Sequence, residues 1–173
     1  MADDNTIPHG GSAQGPQGDA ASSQFALQRI YLKDLSFESP LGVAAFKQNW
    51  QPKISQDLNT NVNKLENDQY EVVLKLTVSA LIDDKTVFLV EVQQAGLFMV
   101  RELDPRQMAQ LFNTVCPQIL FPYAREVIDS CVVKGSFPAL ALPPINFDAL
   151  FMRAIQQAQA AQVEKDASQP VTN

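Results

Sequence analysis

The chain has 173 residues, 46% of them hydrophobic and 18% charged, with a formal net charge of -6. That length supports one sizeable core and is short for two. The acidic balance excludes binding driven by nucleic-acid phosphates, which needs clustered Lys and Arg to release counterions, and suits a basic partner surface instead.

Residues 1–24, "MADDNTIPHGGSAQGPQGDAASSQ", carry too little apolar surface to offset ordering entropy and are expected to be a disordered leader. They lack the basic region, apolar run and cleavage site of a secretory signal. No run of about 18 apolar residues occurs, so a cytoplasmic protein without direct membrane insertion is expected. The single histidine, His9, lies in this leader, away from any packed cleft, which excludes triads and metal sites built on imidazole. Cys116 and Cys131 stand in apolar helical stretches without zinc-site spacing and read as reduced, buried thiols.

A folded domain is expected over residues 25–160. In "FALQRIYLKDLSF", Phe25, Leu27, Tyr31, Leu35 and Phe37 share one parity, the period of a half-buried strand, while Asp34, Ser36 and Glu38 fall on the other face. Pro40 and Gly42 end it. A second, more polar strand places Ile54, Leu58 and Val62 on one parity. The third, "DQYEVVLKLTVSALI", alternates strictly from Tyr70 to Ile82, and Asp83–Lys85 supply a turn. The fourth, "TVFLVEVQQAGLFMV", is apolar on both faces: Val87 and Leu89 alternate with Phe88, Val90 and Val92. Such a strand needs two covers. The chain's own helices cover one face, so part of the other is expected to meet a second subunit.

Asp104 followed by Pro105 is a helix start, and the helix passes Met108, Leu111, Phe112 and Val115 toward a C-terminal glycine, Gly135. Pro117 and Pro122 stand inside it, where proline removes an amide donor and clashes with the carbonyl four residues back. One long bent helix is expected, with two shorter helices as the alternative. "SFPALALPPINF" reads as a loop rich in apolar side chains. A last helix opens at Asn146 and carries Leu150, Phe151, Ala154 and Ile155 as its stripe, and residues 161–173 read as a disordered tail. Four strands followed by helices make an α+β fold with an antiparallel sheet.

Little in this pattern supports catalysis. "QQAG", Gln93–Gly96, lacks the glycine spacing and strand-to-helix setting of a nucleotide cradle. Asp83 and Asp84 form a solvated turn, and Asp34 and Glu38 are too far apart along one strand to share a proton. They form an acidic stripe that Glu91 and Leu89 extend if that face is solvated; an edge-strand charge against aggregation is the blander reading of Glu91. Among the aromatics, Phe147 and Phe151 read as core. Trp50 and Phe137, beside Pro52 and Pro138, lie in irregular segments and are candidates for an open apolar groove. No enzyme activity, metal or cofactor is expected.

The segments "QRIYLKDLSFESP", "FKQNWQP", "YEVVLKLTV", "FLVEVQQAG", "CPQILFPYARE" and "FPALALPPINFDALF", taken in order, resemble the bacterial protein-export chaperones of the SecB family, from about Phe25 to Gln157. The resemblance implies a four-stranded antiparallel sheet with a long and a short helix, assembled as a homotetramer that is a dimer of dimers, with the long helices packed between sheets at its centre. It implies an ATP-independent chaperone that holds secretory precursor polypeptides unfolded in the cytoplasm and passes them to the SecA ATPase at the SecYEG translocon. Asp34, Glu38, Leu89 and Glu91 match the family's SecA-facing positions. Val90, Val92 and Gln94 match positions of the dimer-dimer interface, Val90 standing where some relatives have cysteine. Trp50, Phe88, Phe137 and Phe151 match the client groove. The C-terminal tail departs from the acidic tails of the family, since Lys165 stands between Glu164 and Asp166, so a tail contact with the zinc-containing segment of SecA is not implied. A small-apolar-ligand module using the same aromatic loop, and a SecB-like chaperone serving a toxin-antitoxin pair, are the competing readings; the intact SecA-facing residues argue against the second.

Overall fold

The computed structural model describes residues 24–167. The expected leader, apart from Gln24, and residues 168–173 lie outside them. Strands β1 (Gln24–Glu38), β2 (Lys53–Lys64), β3 (Gln69–Ile82) and β4 (Lys85–Arg101) form one antiparallel sheet in the order β1-β4-β3-β2. A short 3-10 turn, Gly42–Lys47, links β1 to β2, and helices α1 (Pro105–Asn113), α2 (Val115–Lys134) and α3 (Phe147–Ala167) follow.

The alternation expected for β3 holds: Val72, Leu74, Leu76, Val78 and Ala80 have no exposed surface and line the face toward the helices. Across the sheet they stand opposite Gly96, Gln94, Val92, Val90 and Phe88 of β4. Leu120, Ala124, Ile128 and Val132 of α2 complete this core. At Gly96 a Cβ would lie 2.5 Å from the Phe98 ring and 3.0 Å from Leu120, so only glycine lets ring and helix approach the strand this closely.

β1 departs from the simple period. Register shifts at Leu27/Arg29 and Leu32/Asp34 insert an extra residue twice, Gln28 and Lys33. The first turns Tyr31 to the outer face of the sheet and brings Ile30 and Leu32 to the inner one; the second restores the original parity. Phe25, Leu27, Leu35 and Phe37 therefore face inward as expected, Tyr31 does not, and Asp34, Ser36 and Glu38 point outward.

The proline-bearing helix bends at Thr114, whose backbone (φ -123°, ψ -67°) separates α1 from α2. Pro117 sits in the first turn of α2, where an amide has no partner within the helix, so the missing donor costs nothing there. Thr114 closes α1 by donating both its amide and its hydroxyl to the Gln110 carbonyl, at 2.9 and 3.0 Å. Pro122 stays inside α2 without interrupting it. Asp104 caps α1 as expected, accepting from the Gln107 amide at 2.8 Å while the Gln107 side chain accepts from the Asp104 amide at 3.0 Å. Gly135 ends α2 at φ -73°, so its role is space rather than left-handed backbone: a Cβ would lie 2.5 Å from the Phe37 ring and 3.1 Å from Phe137.

The loop after α2 leaves its prolines and alanines exposed but packs its large apolar side chains inward, Leu140 and Ile145 being partly buried. Asp129 accepts from the amides of Leu140 and Ala141 at 3.0 and 3.2 Å, Arg125 donates to the Leu142 carbonyl at 3.3 Å, and Phe137 and Leu142 are buried. α3 opens at Asn146, which accepts from the Ala149 amide at 2.9 Å. It continues to Ala167, past the boundary expected at residue 161, because Ala, Gln, Glu and Lys are strong helix formers. Among the described residues no helix is long and apolar enough to cross a membrane.

Candidate functional site

Two surfaces on opposite sides of the sheet carry the acidic residues and all but one of the groove aromatics singled out by sequence. On the outer face, Glu38 stands opposite Leu89, Ser36 opposite Glu91 and Asp34 opposite Gln93, so the β1 and β4 residues form one patch. The Gln93 amide donates to Asp34 at 3.4 Å. Glu91 is held from the other side by Lys75 at 2.8 Å and by the Thr77 hydroxyl at 3.3 Å. Lys75, which periodicity alone marks only as a polar face residue of β3, therefore orients Glu91 and offsets part of its charge.

Further along this face, Glu71 of β3 collects three donors: the Tyr31 hydroxyl, Lys33 Nζ at 2.7 Å and Asn63 Nδ2 at 2.8 Å. The Lys33 ammonium and the Tyr31 hydroxyl hold the Glu71 carboxyl down at about 2, more strongly than its partial burial raises it. The same contact pushes the Tyr31 phenol up to about 12, because losing its proton would break the bond and place two anions together. Burial alone pushes the Cys116 thiol up to about 12, the mark of an inert core cysteine.

On the other side, at the end of the sheet where the 3-10 turn meets the loop after α2, aromatic rings stack in series. Phe46 lies 5.3 Å from Phe137, Trp50 lies 5.5 Å from Phe137 and 6.5 Å from Phe88, and Phe37 lies 6.0 Å from Phe88. Phe88 and Phe137 are buried and form the floor, whereas Phe46 is 55% exposed and Val43, in the same turn, 73%. The rings fill the space between themselves, so the cluster presents an apolar shelf to solvent rather than an enclosed cavity. Phe37 and Phe46 escaped the sequence reading: Phe37 reads as ordinary strand core, and nothing in "AAFKQN" distinguishes Phe46.

The family description "Preprotein translocase subunit SecB" matches residues 18–158. The chain belongs to the SecB family. Protein-export protein SecB of Cellvibrio japonicus is 56% identical over 95% of this chain and 96% of that protein, and that of Hahella chejuensis is 58% identical over 80% and 87%. That of Pseudomonas syringae pv. syringae is 52% identical over 84% and 93%. A solved SecB-like chaperone from Mycobacterium tuberculosis, in complex with a ChAD peptide from an antitoxin, shares the fold with a TM-score of 0.58 at 14% identity, covering 70% of this chain and 88% of that one.

Of the positions that resemble the SecB client groove, Trp50, Phe88 and Phe137 come together. Phe151 does not join them; it lines a separate cleft of about 610 Å3 between α1 and α3, with Arg106, Ala109, Gln110, Met152 and Ile155. Val90 and Val92 have no exposed surface and Gln94 is 3% exposed, all within the chain's own core beneath α2. The Gln94 amide donates to the Tyr31 carbonyl at 2.9 Å. The outer face of β4 is half-buried within the single chain, Val87 and Ala95 having no exposed surface and Leu89, Leu97 and Met99 being partly covered. Surplus apolar surface lies instead on the inner face of the β1 edge, at Leu27, Leu32 and Leu35, and on the far side of α2, at Tyr123 and Val133, all 40–54% exposed.

Proposed function

We propose that this SecB-family chain is a non-enzymatic, ATP-independent chaperone of the bacterial cytoplasm that holds secretory precursors unfolded and delivers them to SecA. The observation that carries the reading is the division of labour across the sheet: an aromatic shelf toward the helix side and an acidic patch on the opposite face. Client and motor protein then bind without competing for surface. Fast, weakly specific capture of apolar segments has to outrun client folding, and a shelf of stacked rings, which demands no particular hydrogen-bond pattern, accepts many apolar sequences.

Asp34, Glu38, Leu89 and Glu91 are the SecA-facing residues in this reading. A homotetramer, a dimer of dimers, is supported by the exposed apolar side chains of β1 and α2 and by the 15-residue edge strand β1, whose free backbone groups favour strand pairing between copies. Several shelves on one assembly add avidity for long clients. A small-ligand module is disfavoured by the self-filling stack of rings.

Titration of SecA against Glu91→Lys and against the double reversal of Asp34 and Glu38 to lysine tests the reading. At least tenfold weaker binding with the oligomer intact is expected, on the order of 1.4 kcal/mol or more. Unchanged SecA affinity rejects the acidic patch.

A further inference from the structure

Lys33 is the extra residue of the second β1 bulge, and the bulge decides which way the acids point. Side chains alternate along a strand with period two, so moving the register by one residue sends each of them to the opposite face. With only the Gln28 bulge, Asp34 and Glu38 would turn in toward the helices, and Leu35 and Phe37 would turn out to solvent. The acidic patch exists because β1 keeps its second irregularity.

That irregularity is tied down from both faces. On the outer side, Glu71 accepts from Lys33 at 2.7 Å and from the Tyr31 hydroxyl. Glu71 stands on β3, which is not a neighbour of β1: β4 lies between them, so the side chains span two strand spacings, roughly 9–10 Å. Ala95, opposite Tyr31 on β4, is fully buried and small enough to be crossed. On the inner side, the Gln94 amide donates to the Tyr31 carbonyl at 2.9 Å. Asn63 of β2 donates to Glu71 at 2.8 Å and fixes the carboxylate from the far edge, so one group links three strands across a fourth.

We propose that Glu71 is a positioning residue for the partner-binding face: by anchoring the Lys33 bulge across β4, it sets the outward register of Asp34 and Glu38. It also draws the Lys33 ammonium toward β3 and away from Asp34, which leaves the patch its negative charge for a basic partner surface. The second half of this inference rests on the SecA reading above; the first does not.

The test uses the full chain with Glu71→Ala, Glu71→Gln and the double reversal Lys33→Glu/Glu71→Lys, read by amide hydrogen exchange and by affinity for SecA and for an unfolded client. Glu71→Ala should speed exchange at residues 33–38 by about tenfold with α2 unchanged. It should weaken SecA binding about tenfold and leave client affinity within about twofold. The double reversal should recover most of both losses, since it restores an ion pair of opposite polarity. Unchanged exchange at residues 33–38 overturns the anchor, and equal loss of SecA and client binding overturns it too, because it marks a general weakening of the fold. If Glu71→Ala does not fold, the same readouts on Glu71→Gln and the double reversal decide. Glu91→Lys is the control. If it leaves SecA affinity intact, the acidic-face reading has failed, and exchange alone then accepts or rejects the anchor.

Discussion

Replacing Phe46 by alanine removes client-facing surface at the smallest expense to the fold. A phenylalanine side chain offers about 200 Å2, and 55% of Phe46 is exposed in the free protein, leaving roughly 110 Å2 for a client to cover. At about 25 cal/mol per Å2, full coverage is worth roughly 2.7 kcal/mol. A mobile client that covers half of it at any moment would gain about 1.4 kcal/mol, or tenfold in affinity. The lost stack on Phe137 costs stability as well, on the order of 1 kcal/mol, and should lower the melting temperature by about 2–4 °C. Calorimetric titration with a permanently unfolded client measures the effect. Affinity within twofold of the parent, in a folded variant, would refute the shelf as the capture surface. A truncation at Phe88 or Phe137 tests the same idea poorly, because both are buried and their loss unsettles the core.

Other outcomes follow from the same geometry. Gly135→Ala drives a methyl group into the Phe37 and Phe137 rings and should cost about 1–3 kcal/mol in denaturant unfolding while disturbing client capture. Glu71, held at about 2 against an ordinary 4.5, stabilises the fold fully above about pH 5, and that contribution is lost as pH falls through 2. Glu71→Gln should therefore cost roughly 1–2 kcal/mol at neutral pH, discounted for partial solvent screening, with the gap to the parent closing toward pH 2 in urea melts. Charging the β1 edge with Leu32→Asp and Leu35→Asp should shift sedimentation toward smaller species, whereas an unchanged mass would move the contact away from β1.

The fold was legible wherever one chemical signal dominated. The even positions of β3 from Val72 to Ala80 are apolar without exception and all line the inner face, although Val73 on the other face is apolar and buried as well. The β1 bulges were hidden because Gln28 and Lys33 are polar and fit either parity; only cross-strand pairing reveals an extra residue. Two bulges cancel, so the acids were placed outward for a reason the period could not supply. Prolines signalled a bent helix, but the bend settles at Thr114, because Pro117 needs only a helix start within three residues behind it. The acidic patch assembles from residues visible in sequence, whereas Lys75 and Glu71 join through contacts between strands distant along the chain. Phe46 is not legible in the sequence because a lone solvent-facing ring in a six-residue 3-10 turn carries no periodicity.

The most direct measurement is refolding of a slow-folding secretory precursor with and without a stoichiometric amount of this protein, in the absence of ATP. Capture by the aromatic shelf predicts arrested refolding that resumes when the interaction is weakened, and a smaller arrest by Phe46→Ala. Refolding at an unchanged rate, with the protein confirmed folded, contradicts the chaperone account.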